Sequence, residues 1–441
     1  MKKVFISTLG CAKNMVDSEM MLGSLLHNGY ENTNKISDAD IAIINTCGFI
    51  EAAKEESINE ILQFAKHKTN GDLKKLIVTG CLAQRYSKEL EQEIPEIDLI
   101  LGTTSFINIA SQLEKETPSA KSVIESIDKE IPSLERFLLT ESHTAYLKIA
   151  EGCDNFCTYC IIPKLRGKYR SRDLQEILKE ARGLVKNGVR ELIVIAQDTT
   201  KYGIDNYGRK MLPELLRELD KIEELVWVRV LYSYPEDIDE EMVLAIKSSE
   251  KILPYFDMPI QHASDVVLKK MNRKTSAAQI KDKVQMIRRH IPDATIRTTI
   301  IVGFPQESEK DFEFLCRFVE EMQFDRLGVF EYSEEEGTPA AKMSGQIDPE
   351  TKSQRKDRLM ALQQEISYRK NKGFIGKTLK VLLEDQEEGV YVGRTSRDMI
   401  EIDGIVFVNT NKNCSRGEFV DVRITDALEY DLIGEIDEHT E

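Results

Sequence analysis

The sequence predicts an α/β protein in three parts: an N-terminal doubly wound parallel sheet, a central incomplete (β/α)6 barrel, and a small all-β barrel at the C-terminus. Three observations carry this. Short β-branched runs alternate with amphipathic stretches from Met1 to about Leu113, and the alternation resumes from Ala145 to Phe330. A polar stretch from Glu114 to Ser142 with poor periodicity separates the two runs. From Phe374 onward the chain changes class, to short strands punctuated by Gly and Asn. The boundaries expected are 1–118, 139–371 and 373–441.

The first part contains the runs KVFIST, DIAIINT and KLIVTG, each followed by a turn. Between them lie NMVDSEMMLGSLLHN and EESINEILQFAKH, which read as helices, and strand–helix alternation implies a parallel sheet covered on both faces. The second part has six strand candidates: YLKIA, ELIVIA, VWVRVLY, PYFDMPI, TIRTTIIVG and RLGVFEY. Six units fit an incomplete barrel better than a full one of eight. An open flat sheet competes, and periodicity alone does not separate the two. After Pro349 a long polar helix, ETKSQRKDRLMALQQEISYRKNK, connects to the last part. There KTLKVLLE, VYVGRT, MIEIDGIVFVN, EFVDVRITDAL and LIGEI predict a five-stranded, OB-like barrel.

Composition narrows the function. A chain of 441 residues, 41% hydrophobic and 31% charged, is long and apolar enough for several packed cores. Its net charge of −16 argues against electrostatic binding of nucleic acid and favours a basic partner. No apolar run reaches the roughly 20 residues that span a bilayer. The N-terminal MKKVFISTLGC reads as a buried first strand, not a signal peptide, so a cytoplasmic location is expected, where thiols stay reduced. Eight cysteines then point to metal or catalysis. No Walker, Rossmann-fingerprint or HExxH motif supports nucleotide hydrolysis, dinucleotide chemistry or zinc proteolysis.

Six of the cysteines form two trios. Cys153, Cys157 and Cys160 lie in EGCDNFCTYC, with C-x3-C-x2-C spacing on one loop after the first central strand. Three thiolates hold three irons of a 4Fe–4S cube and leave the fourth iron open, whereas a structural zinc needs four ligands. Cys11, Cys47 and Cys81 each follow a predicted strand. The carboxyl ends of parallel strands share one edge, so these three converge despite their separation and imply a second cluster. Three buried apolar cysteines are the competing reading. Cys316, in FEFLCRFVEEM, reads as core, and Cys414, in NKNCSRG, as a turn residue; neither is expected to bind metal.

The loop spacing, with Tyr159 before the last cysteine, resembles the radical S-adenosylmethionine superfamily. That resemblance implies cleavage of S-adenosylmethionine to methionine and a 5′-deoxyadenosyl radical, which abstracts hydrogen from an unactivated carbon. It places Tyr159 near the adenine, although a core aromatic is an equal reading. It sets Gln197 against the amino group and the turn at Gly303, in IVGFPQES, on the adenine side. Gln261-His262 ends the fourth central strand, at the active-site face, where His262 is either a satisfied polar residue or a substrate contact.

The two-cluster layout with a small terminal β-domain resembles the methylthiotransferase family over essentially the whole chain. The resemblance implies two 4Fe–4S clusters and S-adenosylmethionine used both as methyl donor and as radical source. The stretches STLGCAKNMVDSE, YLKIAEGCDNFCTYCIIPKLRGKYRSR, RVLYSYPEDI, YFDMPIQHASDVVLKKMNR and FEYSEEEGTPAAKM look like the branch acting on an aspartate of the twelfth small-subunit ribosomal protein. The branch acting on tRNA adenosine usually carries Gln-Met-Asn where this chain has Ala12-Lys13-Asn14. A tRNA enzyme is the nearest alternative, and a non-catalytic iron–sulfur sensor, which calls for four protein ligands per cluster, the more distant one. The implied partners are a basic small-subunit ribosomal protein, free or in the assembled subunit, and a reduced flavodoxin- or ferredoxin-type electron donor, with no membrane and no direct nucleic-acid recognition. Phe374–Glu441 carries 7 Lys/Arg against 16 Asp/Glu, a net of −9. That reads either as a solvated acidic surface that only aids solubility or as an acidic docking module for a basic protein, with Glu384, Asp385, Glu387 and Glu388 as its cluster, removable without loss of radical chemistry.

Overall fold

The computed structural model describes residues 1–115, 121–129, 132, 135–140 and 142–436. The expected boundary at 118 and the last five residues of the terminal segment lie outside the described residues. The first sheet is six-stranded and wholly parallel: β1 (Lys3–Thr8), β2 (Glu31–Asn32), β3 (Ile41–Thr46), β4 (Lys75–Gly80), β5 (Leu99–Leu101) and β6 (Ser122–Val123), in the order β2-β1-β3-β4-β5-β6. All six residues of β3 are buried because both faces are covered. Ile41 and Ile43 pack with Val16 and Met20 of helix Ala12–His27; Ala42 and Ile44 pack with Ile61 and Phe64 of helix Glu51–Thr69. The strand order reverses between β1 and β3, which makes the carboxyl edge there a binding crevice.

The second sheet comprises β7 (Thr144–Lys148), β10 (Glu191–Ile195), β11 (Trp227–Val230), β12 (Ile252–Asp257), β13 (Thr295–Val302) and β14 (Arg326–Glu331), beside a small hairpin of β8 (Ala150–Glu151) and β9 (Arg170–Ser171). Its six strands are parallel and strictly sequential. Right-handed crossovers in sequential order put every helix on one face, which leaves the other to line an interior. Leu192 and Val194 accordingly pack with Ile177, Leu178 and Leu215 of the outer helices, while Ile193 and Ile195 face inward. That division decides for the incomplete barrel over a flat sheet with helices on both sides.

Local sequence explains the outer layer. Helix Leu174–Lys186 buries Leu174, Ile177, Leu178, Ala181, Leu184 and Val185 on one stripe, and Asp173 caps it by accepting from the N–H groups of Gln175 and Glu176 at 2.8 and 3.2 Å. Helix Pro349–Lys372 starts at a proline and is capped by Asp348, which accepts from Thr351 N–H at 2.8 Å. It is no free connector, because Leu359 and Ile366 enter the central core. Cys316 is buried in that core, and Cys414 packs beside the terminal barrel.

β15 (Thr378–Glu387), β16 (Val390–Thr395), β17 (Val406–Asn409), β18 (Phe419–Ala427) and β19 (Leu432–Ile436) close into a barrel around Val381, Leu383, Val406, Val422 and Ile424. The strand expected at MIEIDGIVFVN forms only over its last part, Val406–Asn409. Met399 leaves the barrel and packs against Trp227 and Tyr255 of the central sheet, and Asp403 accepts from Met399 N–H at 2.9 Å and from the Tyr255 hydroxyl at 2.6 Å. The terminal barrel is thus seated on the amino ends of the central strands. Arg394 pairs with the fully buried Glu191, which also takes Arg229 Nε at 3.1 Å, and Arg326 pairs with Asp398. The expected docking module is therefore packed into the central domain. Glu384 accepts from Arg394 at 2.7 Å, and Asp385 pairs with Arg416, so half of the expected docking cluster already has partners within the barrel.

Candidate active site

Cys11, Cys47 and Cys81 stand at the carboxyl ends of the adjacent strands β1, β3 and β4. Gly10 adopts φ +91°, and a Cβ on it would lie 2.7 Å from the Cys47 Cβ and 2.9 Å from its Sγ, so only glycine fits between the two loops. Asn14 ties them together, donating to the carbonyls of Leu9 at 2.8 Å and Thr46 at 3.1 Å. Ser57 accepts from the Cys47 N–H and donates to its carbonyl, both at 3.0 Å. Burial, with Cys81 and Cys11 adding to it, pushes the Cys47 thiol up to about 12. Cys11 is exposed, whereas Cys47 and Cys81 are buried.

The Cys153–Cys160 loop follows the first central strand. Asn155 donates to Asp198 at 2.8 Å, Thr158 N–H to Met271 O at 3.0 Å, and Asn272 to Phe156 O at 2.9 Å. The loop is therefore pinned from the segments after β10 and β12. Burial pushes Cys153 up to about 11, and burial together with Cys157 raises Cys160. The Tyr234 hydroxyl lies 3.8 Å from Cys157 Sγ, with the Arg273 guanidinium 4.1 Å from the Tyr234 ring centroid. Tyr159 is half-buried and packs against Val267, Met271, Phe304, Tyr332 and Ala340, with Cys157 and Arg273 as its charged neighbours.

The donor sets fit iron–sulfur clusters. Buried thiols that hold their protons tightly give them up to a bound metal, and each trio offers soft sulfur donors on loops fastened at several points. Among the described residues, no three His, Cys, Asp or Glu side chains are arranged around a single metal ion. A cube asks for something else, since each thiolate binds its own iron. Gln197, after β10, donates to Glu151 at 2.6 Å, and its buried Oε1 has no hydrogen-bond partner among the described residues; that free acceptor suits an ammonium. The face of Gly303 (φ +70°) on which a Cβ would stand is filled by Lys352, with Cγ at 2.3 Å, so helix packing by itself requires glycine there. His262 is fully buried, accepts from Ser264 N–H at 2.9 Å and faces Glu307 at 3.7 Å; it is a structural histidine.

A buried polar bridge joins the two cluster loops across the domain boundary, and sequence reasoning did not find it. Arg166 donates to Asp17 Oδ2 and Asn14 Oδ1, both at 2.6 Å, and to Glu151 at 3.3 Å; Lys148 donates to Glu151 at 2.9 Å and also contacts Asp17. Burial alone would raise the Glu151 carboxyl, but Lys148 and Arg166 outweigh it and hold it well below the usual carboxylate range. Burial raises the Cys81 thiol, and the charge of Arg166 works in the opposite direction. Cys81 itself packs with Ile161 and Leu165, from the domain that carries the other trio. Lys13, Tyr232, Tyr234 and Arg273 were missed as well. For Lys13, Tyr232 and Tyr234 the only signal was position, shortly past a cysteine or past the end of β11.

Three family models match the chain: Uncharacterized protein family UPF0004 at residues 3–102, Radical SAM superfamily at 147–319, and TRAM domain at 375–436. Among solved structures, the radical S-adenosylmethionine methyltransferase TsrM from Kitasatospora setae is similar at TM-score 0.57 and 12% identity, over 77% of each chain. The cobalamin-dependent S-adenosylmethionine radical enzyme OxsB is similar at TM-score 0.52 and 14% identity, over 82% of this chain and 56% of its own. At such identities the likeness is one of fold. Among curated proteins, the ribosomal protein uS12 methylthiotransferase RimO of Clostridioides difficile (strain 630) is 56% identical over 99% of both chains. That of Thermoanaerobacter sp. (strain X514) is 51% identical over 99% of this chain and 100% of its own. With half or more of its residues shared end to end with these enzymes, the chain belongs to the RimO family of radical S-adenosylmethionine methylthiotransferases.

Proposed function

We propose that this chain transfers a methylthio group to the β-carbon of an aspartate in ribosomal protein uS12. The observation that supports it most directly is the pair of cysteine trios, each at the carboxyl edge of a parallel sheet, with the Arg166–Asp17–Lys148–Glu151 bridge joining their loops. Cys153, Cys157 and Cys160 would hold one 4Fe–4S cluster, and Cys11, Cys47 and Cys81 the other. When bound, the clusters and S-adenosylmethionine supply one-electron chemistry, the methyl group and the sulfur that the protein lacks. The protein's own contribution is placement and exclusion of water. Gln197 Oε1 offers an acceptor to the ammonium of S-adenosylmethionine beside the loop of Cys153. Tyr234 covers Cys157, and Arg273 stacked on Tyr234 keeps that ring in place. Arg166 and Lys148 hold the two domains in one register, so the distance between the two clusters is set by buried ion pairs.

The domain division 1–118, 139–371 and 373–441 accords with this assignment of roles. The acidic terminal barrel supports a basic protein partner over direct nucleic-acid binding. No described helix is long and apolar enough to cross a membrane, and we place the enzyme in the cytoplasm with a reduced flavodoxin or ferredoxin as electron donor. Mass spectrometry of uS12 and of tRNA nucleosides from a deletion strain tests the function. Loss of a +46 Da modification, about the mass of a methylthio group replacing hydrogen, from uS12 with intact tRNA nucleosides is expected. Loss confined to tRNA would overturn it.

A further inference from the structure

We propose that Lys13, set against Tyr232, is the specificity residue that binds the side-chain carboxylate of the substrate aspartate; this rests on the function proposed above. Lys13 is the second residue of helix Ala12–His27, two past Cys11, and is buried. Its Nζ lies 3.2 Å from the centroid of the Tyr232 ring, across the boundary between the first two domains. Among the described residues it has no hydrogen bond and no ion pair. The carboxylates around it are engaged elsewhere. Asp257 accepts from Arg297 and from Tyr232 N–H, both at 2.9 Å; Glu151 is taken by Lys148, Arg166 and Gln197; and Asp17 by Lys148 and Arg166. The Tyr232 ring and the nearby Cys11 thiol are what remains around the Lys13 ammonium, which leaves Nζ able to take an anion.

Tyr232 gives the second, independent observation. It follows β11 with φ +60°, a conformation that a bulky non-glycine residue rarely adopts. The backbone is forced into it from both sides. Its N–H donates to Asp257, and its carbonyl accepts from Thr199 N–H at 3.1 Å. Strain held this firmly by its surroundings clusters at ligand clamps. Its effect here is to set the ring under Lys13, beside Cys11, at the carboxyl edge of the central sheet. An aspartate whose carboxylate pairs with Lys13 has its β-carbon one bond from the anchored group. The same contact therefore selects the residue and positions the C–H bond to be replaced.

The test uses reconstituted enzyme and two uS12 peptides, one with the target aspartate and one with asparagine in its place. Binding is read by fluorescence anisotropy, and methylthiolation by the split between KM and kcat. The wild type should bind the aspartate peptide about ten- to a hundred-fold more tightly, the range for a hydrogen bond to a charged group. Lys13→Met should bind both peptides with equal, weak affinity, with the loss appearing mainly in KM. Lys13→Gln is read by the same ratio if the methionine variant does not fold. A variant that keeps the wild-type preference for aspartate overturns the proposal, even if its cluster spectrum changes, because Lys13 would then serve Cys11 alone. A wild type that modifies uS12 but binds both peptides equally also overturns it, while a wild type that leaves uS12 unmodified overturns the function itself.

Discussion

Replacing Arg394 with methionine should loosen the terminal barrel from the central sheet. Arg394 is buried and pairs with both Glu191 and Glu384, and Glu191 is itself inaccessible to solvent, with Arg229 as its other partner. Removing one member of a buried ion pair costs about 3–5 kcal/mol, because the remaining charge stays desolvated. At about 2–4 °C per kcal/mol for a cooperative unit of 150–250 residues, Tm should fall by about 6–20 °C. Glu191→Gln should cost more, since it leaves two buried guanidinium groups facing a neutral amide. The chain has a single tryptophan, and it reports on this junction: Trp227 meets the barrel's Phe419 edge-on, with centroids 4.7 Å apart. Its emission should therefore shift to the red in the same transition. Acid should act on the same contact. Burial raises the Glu191 carboxyl, but Arg394 and Arg229 more than reverse this and leave it below its usual value of 4.5. The stabilisation from Glu191 is thus full above that value and declines as pH falls below it, in wild type and not in Glu191→Gln. A Tm within about 2 °C of wild type for Arg394→Met, less than 1 kcal/mol on the same scale, with unshifted Trp227 emission, would refute the reasoning, since it would mean the network contributes nothing net.

Three further outcomes concern the cluster loops. Cys153→Ala should abolish both 5′-deoxyadenosine formation and product, because two thiols cannot hold the cube with an open iron; retained 5′-deoxyadenosine would remove Cys153 from the ligand set. Cys47→Ala should lower iron from about eight to about four atoms per chain and stop methylthio transfer while sparing the other cluster, whereas unchanged iron would make Cys47 a core thiol. Arg166→Met should raise amide hydrogen exchange along helix Ala12–His27, because it breaks buried pairs worth about 3 kcal/mol or more; exchange equal to wild type would show that the bridge does not join the domains.

What the sequence made legible was whatever repeats at short range. β3 announced itself as an unbroken apolar run because it is covered on both faces, and helix Leu174–Lys186 by its 3.6-residue stripe. The C-x3-C-x2-C loop was legible because its spacing is local. The trio of Cys11, Cys47 and Cys81 needed one more step, the rule that parallel strands end on a common edge. β2 and β6, two residues each, are too short to show any period.

The charged contacts that organise the site fail for a different reason. Arg166 and Asp17 are 149 residues apart, and nothing in either neighbourhood marks them as partners. A net charge of −9 likewise counts the carboxylates of the terminal segment without telling which already have a partner. Glu384 is held by Arg394 and Asp398 by Arg326, so the carboxylates open to a basic protein are others, at exposed positions such as Glu387 and Glu388. Met399 illustrates the same limit in apolar form. Its stretch has strand-like composition, yet Met399 packs in one cluster with Trp227 and Tyr255 of the central sheet, and tertiary packing overrides the local preference. The consequence for function is that the barrel cannot be treated as an appendage. It supplies partners to Glu191 of β10 and Arg229 of β11, in the same sheet whose first strand, β7, leads into the cluster loop, so truncating it disturbs the sheet that positions the chemistry, whatever it also does to substrate capture.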